Sequence, residues 1–98
     1  MPAIVWLVKM DNIASILRTY IAQNILFSGN NYPHEDDASF LDEGIIDSMN
    51  LLGLVTFVEE QFGIKVDYSD ILPENFDSIS RLAAYIKQAQ AKTVEVPK

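Results

Sequence analysis

Apolar residues recur at helical spacing in three separate stretches of the chain. From Asp11, a side chain suited to capping a helix start, Ile13, Ile16, Leu17, Tyr20, Ile21 and Ile25 fall at i, i+3, i+4, i+7, i+8 and i+12, one helical face. This first helix is expected to stop near Ser28-Gly29, where Gly29-Asn30-Asn31 before Tyr32-Pro33 supplies a left-handed terminator and a break. From Ser48, at about 100° per residue, Leu51, Leu54, Val55, Val58 and Phe62 line one side of a second helix, and Gly63 ends it. Its other side carries Met49, Leu52, Gly53, Thr56, Glu59 and Glu60, a face neither properly polar nor properly apolar. A last helix starts at Asp77-Ser78 and repeats Ile79, Leu82, Ala83, Ile86 and Ala89.

The connections are unequal. Between Gly29 and Gly44 the chain has no periodicity and is rich in acids, Glu35, Asp36, Asp37, Asp42 and Glu43, with Phe40 and Leu41 expected to pin it to the core. Loops of about fifteen residues are long for a small domain and are often functional. Residues 64–76 read as an extended link plus one short helical turn. Strand signals are too weak for a sheet, so the pattern predicts an all-α bundle. Residues 1–9 are expected to be an N-terminal extension, 10–90 the folded domain, and 91–98 a flexible tail without pattern. Gly53 inside the second helix costs roughly 1 kcal/mol relative to alanine, so something is expected to approach closely there.

Composition removes several function classes. The 98 residues carry 14 acids against 7 basic side chains, a net charge of −7, which repels a phosphate backbone and argues against nucleic-acid binding. A basic partner suits this balance better. With no cysteine and one histidine, thiol chemistry, disulfides and a metal cluster are excluded, and His34 reads as a solvated loop residue. The apolar start "MPAIVWLVK" is too short to span a bilayer and lacks a cleavage site, so a cytoplasmic chain without membrane contact is expected.

Asp47-Ser48 stands where loop becomes helix. Both residues are favoured helix caps, because their oxygens accept a bond from a first-turn N–H, and that reading needs no chemistry. The same position also suits a serine that carries a phosphate, since free N–H groups and the helix dipole stabilise negative charge there. As an enzymic nucleophile Ser48 lacks a neighbouring base and a G-x-S-x-G elbow. Residue by residue, cap and modification site both stay open.

The stretch "LDEGIIDSMNLLGLVTFVEEQFGIKV", followed by "LPENFDSISRLAAYI", resembles the acyl and peptidyl carrier proteins, whose signature is Asp-Ser-Leu at a helix start after a long loop. The resemblance covers roughly residues 10–90 and the order of all the elements. It implies a small four-helix bundle with a short third helix near residues 69–75 and no catalysis of its own. It further implies 4′-phosphopantetheine attached to Ser48 by a phosphopantetheinyl transferase, with Asp47 helping that enzyme engage the site. The group's thiol would hold acyl or aminoacyl intermediates as thioesters, supplied by loading ligases or synthases. Gly44 matches the small residue that lets the loop turn into the helix.

Two departures bear on partners. Met49 replaces the usual leucine, a near volume-conserving change, and only Glu59 and Glu60 remain of the acids that stud this helix in fatty-acid synthase carriers. Docking is therefore expected to rely on Met49, Leu52, Gly53 and Thr56 more than on charge. The resemblance leans toward stand-alone carriers loaded by adenylating ligases, or toward carriers of polyketide and nonribosomal peptide pathways, acting as monomers. The competing reading is a helical interaction module that keeps the fold without the prosthetic group.

Overall fold

Leu17, Ile21, Leu54, Val58, Ile79, Leu82 and Ile86 lose all contact with solvent, and they come from the three helical stripes that the spacing marks out. The computed structural model describes the backbone of residues 2–29 and 31–95, and the side chains of residues 13–29 and 31–91. Its elements are α1 (Pro2–Asn24), α2 (Ser48–Phe62), a 3₁₀ turn at Tyr68–Asp70, α3 (Pro73–Phe76) and α4 (Ile79–Glu95). Among the described residues there is no strand, so the fold is the expected all-α, four-helix bundle. No described helix is long and apolar enough to cross a membrane.

The first helix differs from expectation at both ends. It begins at Pro2, so Asp11 lies inside it and is not its cap. Nothing between Pro2 and Asp11 breaks a helix, and proline at the first helical position is tolerated because that N–H has no intrahelical partner. At the other end, α1 stops at Asn24, before Ser28-Gly29. Ile25 and Leu26 pack against the core and draw the chain off the helix axis. The N–H groups of Ile25 and Leu26 then bond Ile21 O at 3.0 and 2.9 Å, and that of Ser28 bonds Ala22 O at 2.8 Å. The left-handed residue that permits this turn is Phe27, at φ 55°, followed by Gly29 at φ 72°.

α2 starts and ends where the sequence places it, and Leu54, Val55 and Val58 form its buried stripe. Gly63 terminates it at φ 67° and donates its N–H to Glu59 O. The short third helix resolves into two pieces. Asp67 caps the 3₁₀ turn through Ser69 N–H at 3.2 Å, and α3 follows with Pro73 at its first position and Leu72 extended before it. Ser78 caps α4 by accepting the Arg81 N–H at 3.1 Å. α4 continues to Glu95, past the expected limit at residue 90, and residues 96–98 lie outside the described ones.

The long loop is folded down onto this frame. Phe40, Ile45 and Ile46 are 1%, 3% and 2% exposed, whereas Leu41, expected to pin the loop beside Phe40, is 51% exposed. His34 is half-buried and meets Tyr32 edge-on.

Candidate functional site

Ser48 opens α2 and is exposed, as are Asp47, Met49 and Asn50 around it. Two local devices set this position. Gly44, at φ 68°, makes the left-handed turn that brings the loop toward the helix. Asp47 then adopts extended backbone and accepts the Asn50 N–H on Oδ1 at 2.9 Å, while its carbonyl accepts the first helical bond from Leu51 at 3.0 Å. Asp47 is therefore the cap, and Ser48 is the first helical residue. Among the described residues the Ser48 hydroxyl has no hydrogen-bond partner.

The buried pair Ile45-Ile46 anchors the backbone just before Asp47. In the sequence these residues read as part of a motif rather than as core, although their apolar character was the available signal. The N–H groups of both bond Phe40 O, at 2.8 and 3.3 Å.

Beside the serine the surface is apolar. Met49 is 83% and Leu52 60% exposed, and Gly53 and Thr56 are exposed on the same helix. The close approach expected at Gly53 is not found: a Cβ there would meet the Tyr20 hydroxyl at 3.8 Å, ordinary packing, and the Tyr20 ring stacks on Phe57 with centroids 3.9 Å apart. Glu60 is exposed, but the Glu59 carboxylate turns back to accept the Val66 N–H at 2.8 Å, which commits it to the link after α2. An apolar cleft of about 170 Å³ opens on the other flank, between Phe40, Leu41 and Ile46 of the loop, Leu51 of α2, and Ile71, Leu72, Pro73 and Phe76. It could not be read from the sequence, because its walls come from three separate segments.

The surroundings are electronegative. From Thr19 to Ile64 the chain has no lysine or arginine, while Asp42, Glu43 and Asp47 are exposed near the helix start. The positive end of α2, with the Ser48 and Met49 amides outside the intrahelical bonding, opposes that field at the serine itself. Among the described residues no group of histidines and acids is arranged to hold a metal ion.

Three comparisons bear on these features. Residues 29–86, more than half of the chain, match the family described as phosphopantetheine attachment site. The chain is 35% identical over 54 residues to an acyl carrier protein of Kineococcus radiotolerans, covering 55% of this chain and 64% of that protein. It thus spans a little under two thirds of that relative. It is also 26% identical over 81 residues to D-alanyl carrier protein 1 of Lactiplantibacillus plantarum, covering 83% of this chain and 98% of the relative. Among solved structures, a chain in a crystal structure described as that of an FAD-dependent dehydrogenase superposes with a TM-score of 0.62 at 29% identity, over 70% of this chain and 96% of that one.

Carriers of this family bear 4′-phosphopantetheine covalently, and the residues here fit such a group: an exposed hydroxyl with no described partner, at a helix N-terminus, beside first-turn amides that suit a phosphodiester. The all-helical bundle, the capped and exposed helix start, and the match over residues 29–86 agree, and the chain belongs to the phosphopantetheine-binding carrier family.

Proposed function

We propose that the Ser48 hydroxyl is the attachment point of 4′-phosphopantetheine and that the chain shuttles acyl or aminoacyl groups as thioesters between enzymes. The observation that carries this reading is the position of Ser48, exposed as the first residue of α2 while the neighbouring Asp47 does the capping. When bound, the group supplies the thiol that a cysteine-free chain lacks. The chain's own residues present and orient the tether and do no catalysis. Asp47 remains as cap and as the carboxylate that a phosphopantetheinyl transferase engages.

Met49, Leu52, Gly53 and Thr56 form the docking face for the transferase and for loading ligases or synthases, with Glu60 at its rim and Glu59 supporting the turn behind it. The names of the relatives support an acyl or a D-alanyl cargo, and the sparse charge of α2 favours a polyketide, nonribosomal peptide or other specialised pathway over fatty-acid synthesis. We place the carrier domain at residues 10–90, in the cytoplasm, as a monomer.

Intact-mass analysis after incubation with coenzyme A and a broad-specificity transferase tests the reading. The expected result is a gain of one phosphopantetheinyl group that Ser48→Ala abolishes; no gain, or a gain that persists in Ser48→Ala, overturns it. The exposure of Met49 and Leu52 also suits the competing interaction module, which predicts partner binding by the unmodified chain that Leu52→Asp abolishes.

A further inference from the structure

Asp77, at the joint between α3 and α4, uses every polar group it has. Its N–H donates to Pro73 O at 3.1 Å and its carbonyl accepts the Phe40 N–H at 2.9 Å. Its carboxylate accepts twice from the long loop, the Leu41 N–H on Oδ1 at 3.0 Å and the Ser39 hydroxyl on Oδ2 at 2.5 Å. Ser39 Oγ in turn accepts the Asp42 N–H at 3.0 Å, and so fixes the turn that follows. Phe40 O then takes the N–H groups of Ile45 and Ile46, at 2.8 and 3.3 Å. Ile46 directly precedes the Asp47 cap. A run of hydrogen bonds therefore leads from the joint between α3 and α4 to Ile46, two residues before Ser48, and none of it touches Ser48.

We propose that Asp77 is a positioning residue for the attachment serine, acting through its carboxylate, which holds the loop at Ser39 and Leu41 on either side of Phe40, whereas the main-chain bond to Phe40 does not depend on the side chain. This inference rests on the reading of Ser48 as the attachment site. The bond to Leu41 is exposed and that to Ser39 only part-buried, so water can replace the carboxylate at modest cost to global stability. What the loop loses without Asp77 is a single conformation. A carrier whose loop spends only a fraction of its time in the competent arrangement binds the transferase more weakly by that fraction, while turnover of the bound complex is unaffected.

The experiment is steady-state loading of the full chain with coenzyme A and a broad-specificity phosphopantetheinyl transferase, at a temperature where circular dichroism shows each variant folded. Asp77→Ala is expected to raise the KM for the carrier about tenfold, with kcat and the KM for coenzyme A unchanged. Asp77→Asn, which keeps an acceptor for Leu41 and can donate to Ser39 Oγ, is expected to recover most of the loss. Asp70→Asn is the stability control: it weakens the Tyr85 hydroxyl bond to Asp70, 3.0 Å long, which joins the 3₁₀ turn to α4 and involves neither Ser39 nor Leu41, and is expected to keep the wild-type KM. In the unmodified chain, Asp77→Ala is also expected to speed amide hydrogen exchange at Ile45 and Ile46 about tenfold while Leu82 and Ile86 keep their protection.

A folded Asp77→Ala with wild-type KM overturns the inference, and so does an equal rise in Asp70→Asn. If Asp77→Ala does not fold, Asp77→Asn and Ser39→Ala replace it, and wild-type KM in both overturns the inference. Failure of the Ser48 reading looks different: the wild type is not loaded, or Ser48→Ala still is. In that case exchange at Ile45 and Ile46 alone decides whether Asp77 holds this segment.

Discussion

Arg18 and Asp36 form a two-pronged ion pair, Nε to Oδ1 at 2.8 Å and Nη2 to Oδ2 at 2.6 Å, that ties the acidic loop to α1. The guanidinium bonds hold the Asp36 carboxyl below its ordinary value of 3.8. The stabilisation is therefore present above about pH 4 and is lost as pH falls through the depressed folded value. Both side chains are more than a third exposed, so the pair contributes under about 1 kcal/mol. Asp36→Asn is expected to flatten the acid limb of stability against pH, measured by urea unfolding. Arg18→Lys, which cannot reproduce the fork, is expected to do so in part.

Tyr32 buries its hydroxyl without a partner among the described residues. An unmet buried donor costs roughly 1–3 kcal/mol, so Tyr32→Phe is expected to leave stability unchanged or raise it by about 1 kcal/mol in chemical denaturation.

Alkaline behaviour follows from the same ring and one other. Burial, then the Asp36 charge, push Tyr32 from 10.0 up to about 12, and burial with the bond to Asp70 pushes Tyr85 to about 12. Each folded phenol keeps its proton where the unfolded one loses it, so stability is intact below about pH 10 and falls as pH rises toward 12. Tyr32→Phe and Tyr85→Phe should each shallow that fall, read as midpoint against pH.

Gly53 sits in a helix interior with room for a methyl group, since a Cβ would meet Tyr20 only at 3.8 Å. Gly53→Ala is expected to raise stability by roughly 1 kcal/mol, seen as a higher Tm. A lower Tm would show that the Tyr20 contact is tighter than ordinary packing.

Phe27 is 81% exposed and holds φ 55°, a conformation that glycine adopts without strain. Phe27→Gly is expected to stabilise the fold by roughly 1 kcal/mol, because little packing is lost when the strain is relieved.

Deleting residues 1–9 is expected to preserve a single cooperative unfolding transition, since Ile13, Leu17 and Ile21 anchor α1 in the buried core. Loss of cooperativity on thermal scanning would place those residues inside the fold.

What could be read from the sequence was local. The α2 stripe of Leu54, Val55 and Val58, its cap at Asp47 and its left-handed end at Gly63 each follow from chemistry within four residues, and the structure has them where the spacing puts them. The ends of α1 could not be read in this way. Its start, "PAIVWLVKM", is apolar almost without interruption and so has no periodic edge to read, and its stop is set by Ile25 and Leu26 reaching for a core built by other helices. The loop's attachments to Asp77 join residues 36 and 38 positions apart, so Asp77 reads locally only as a helix start. Glu59 looks like surface charge until the link after α2 folds back to place Val66 beside it.

Division of labour at the start of α2 has a chemical corollary. Because the aspartate alone satisfies the Asn50 amide, esterifying the neighbouring hydroxyl removes no bond from the protein. On the proposed reading of Ser48, the chain is armed or stripped of its appendage with the cap of α2 intact, and an enzyme that discriminates the two forms has the appendage itself to sense.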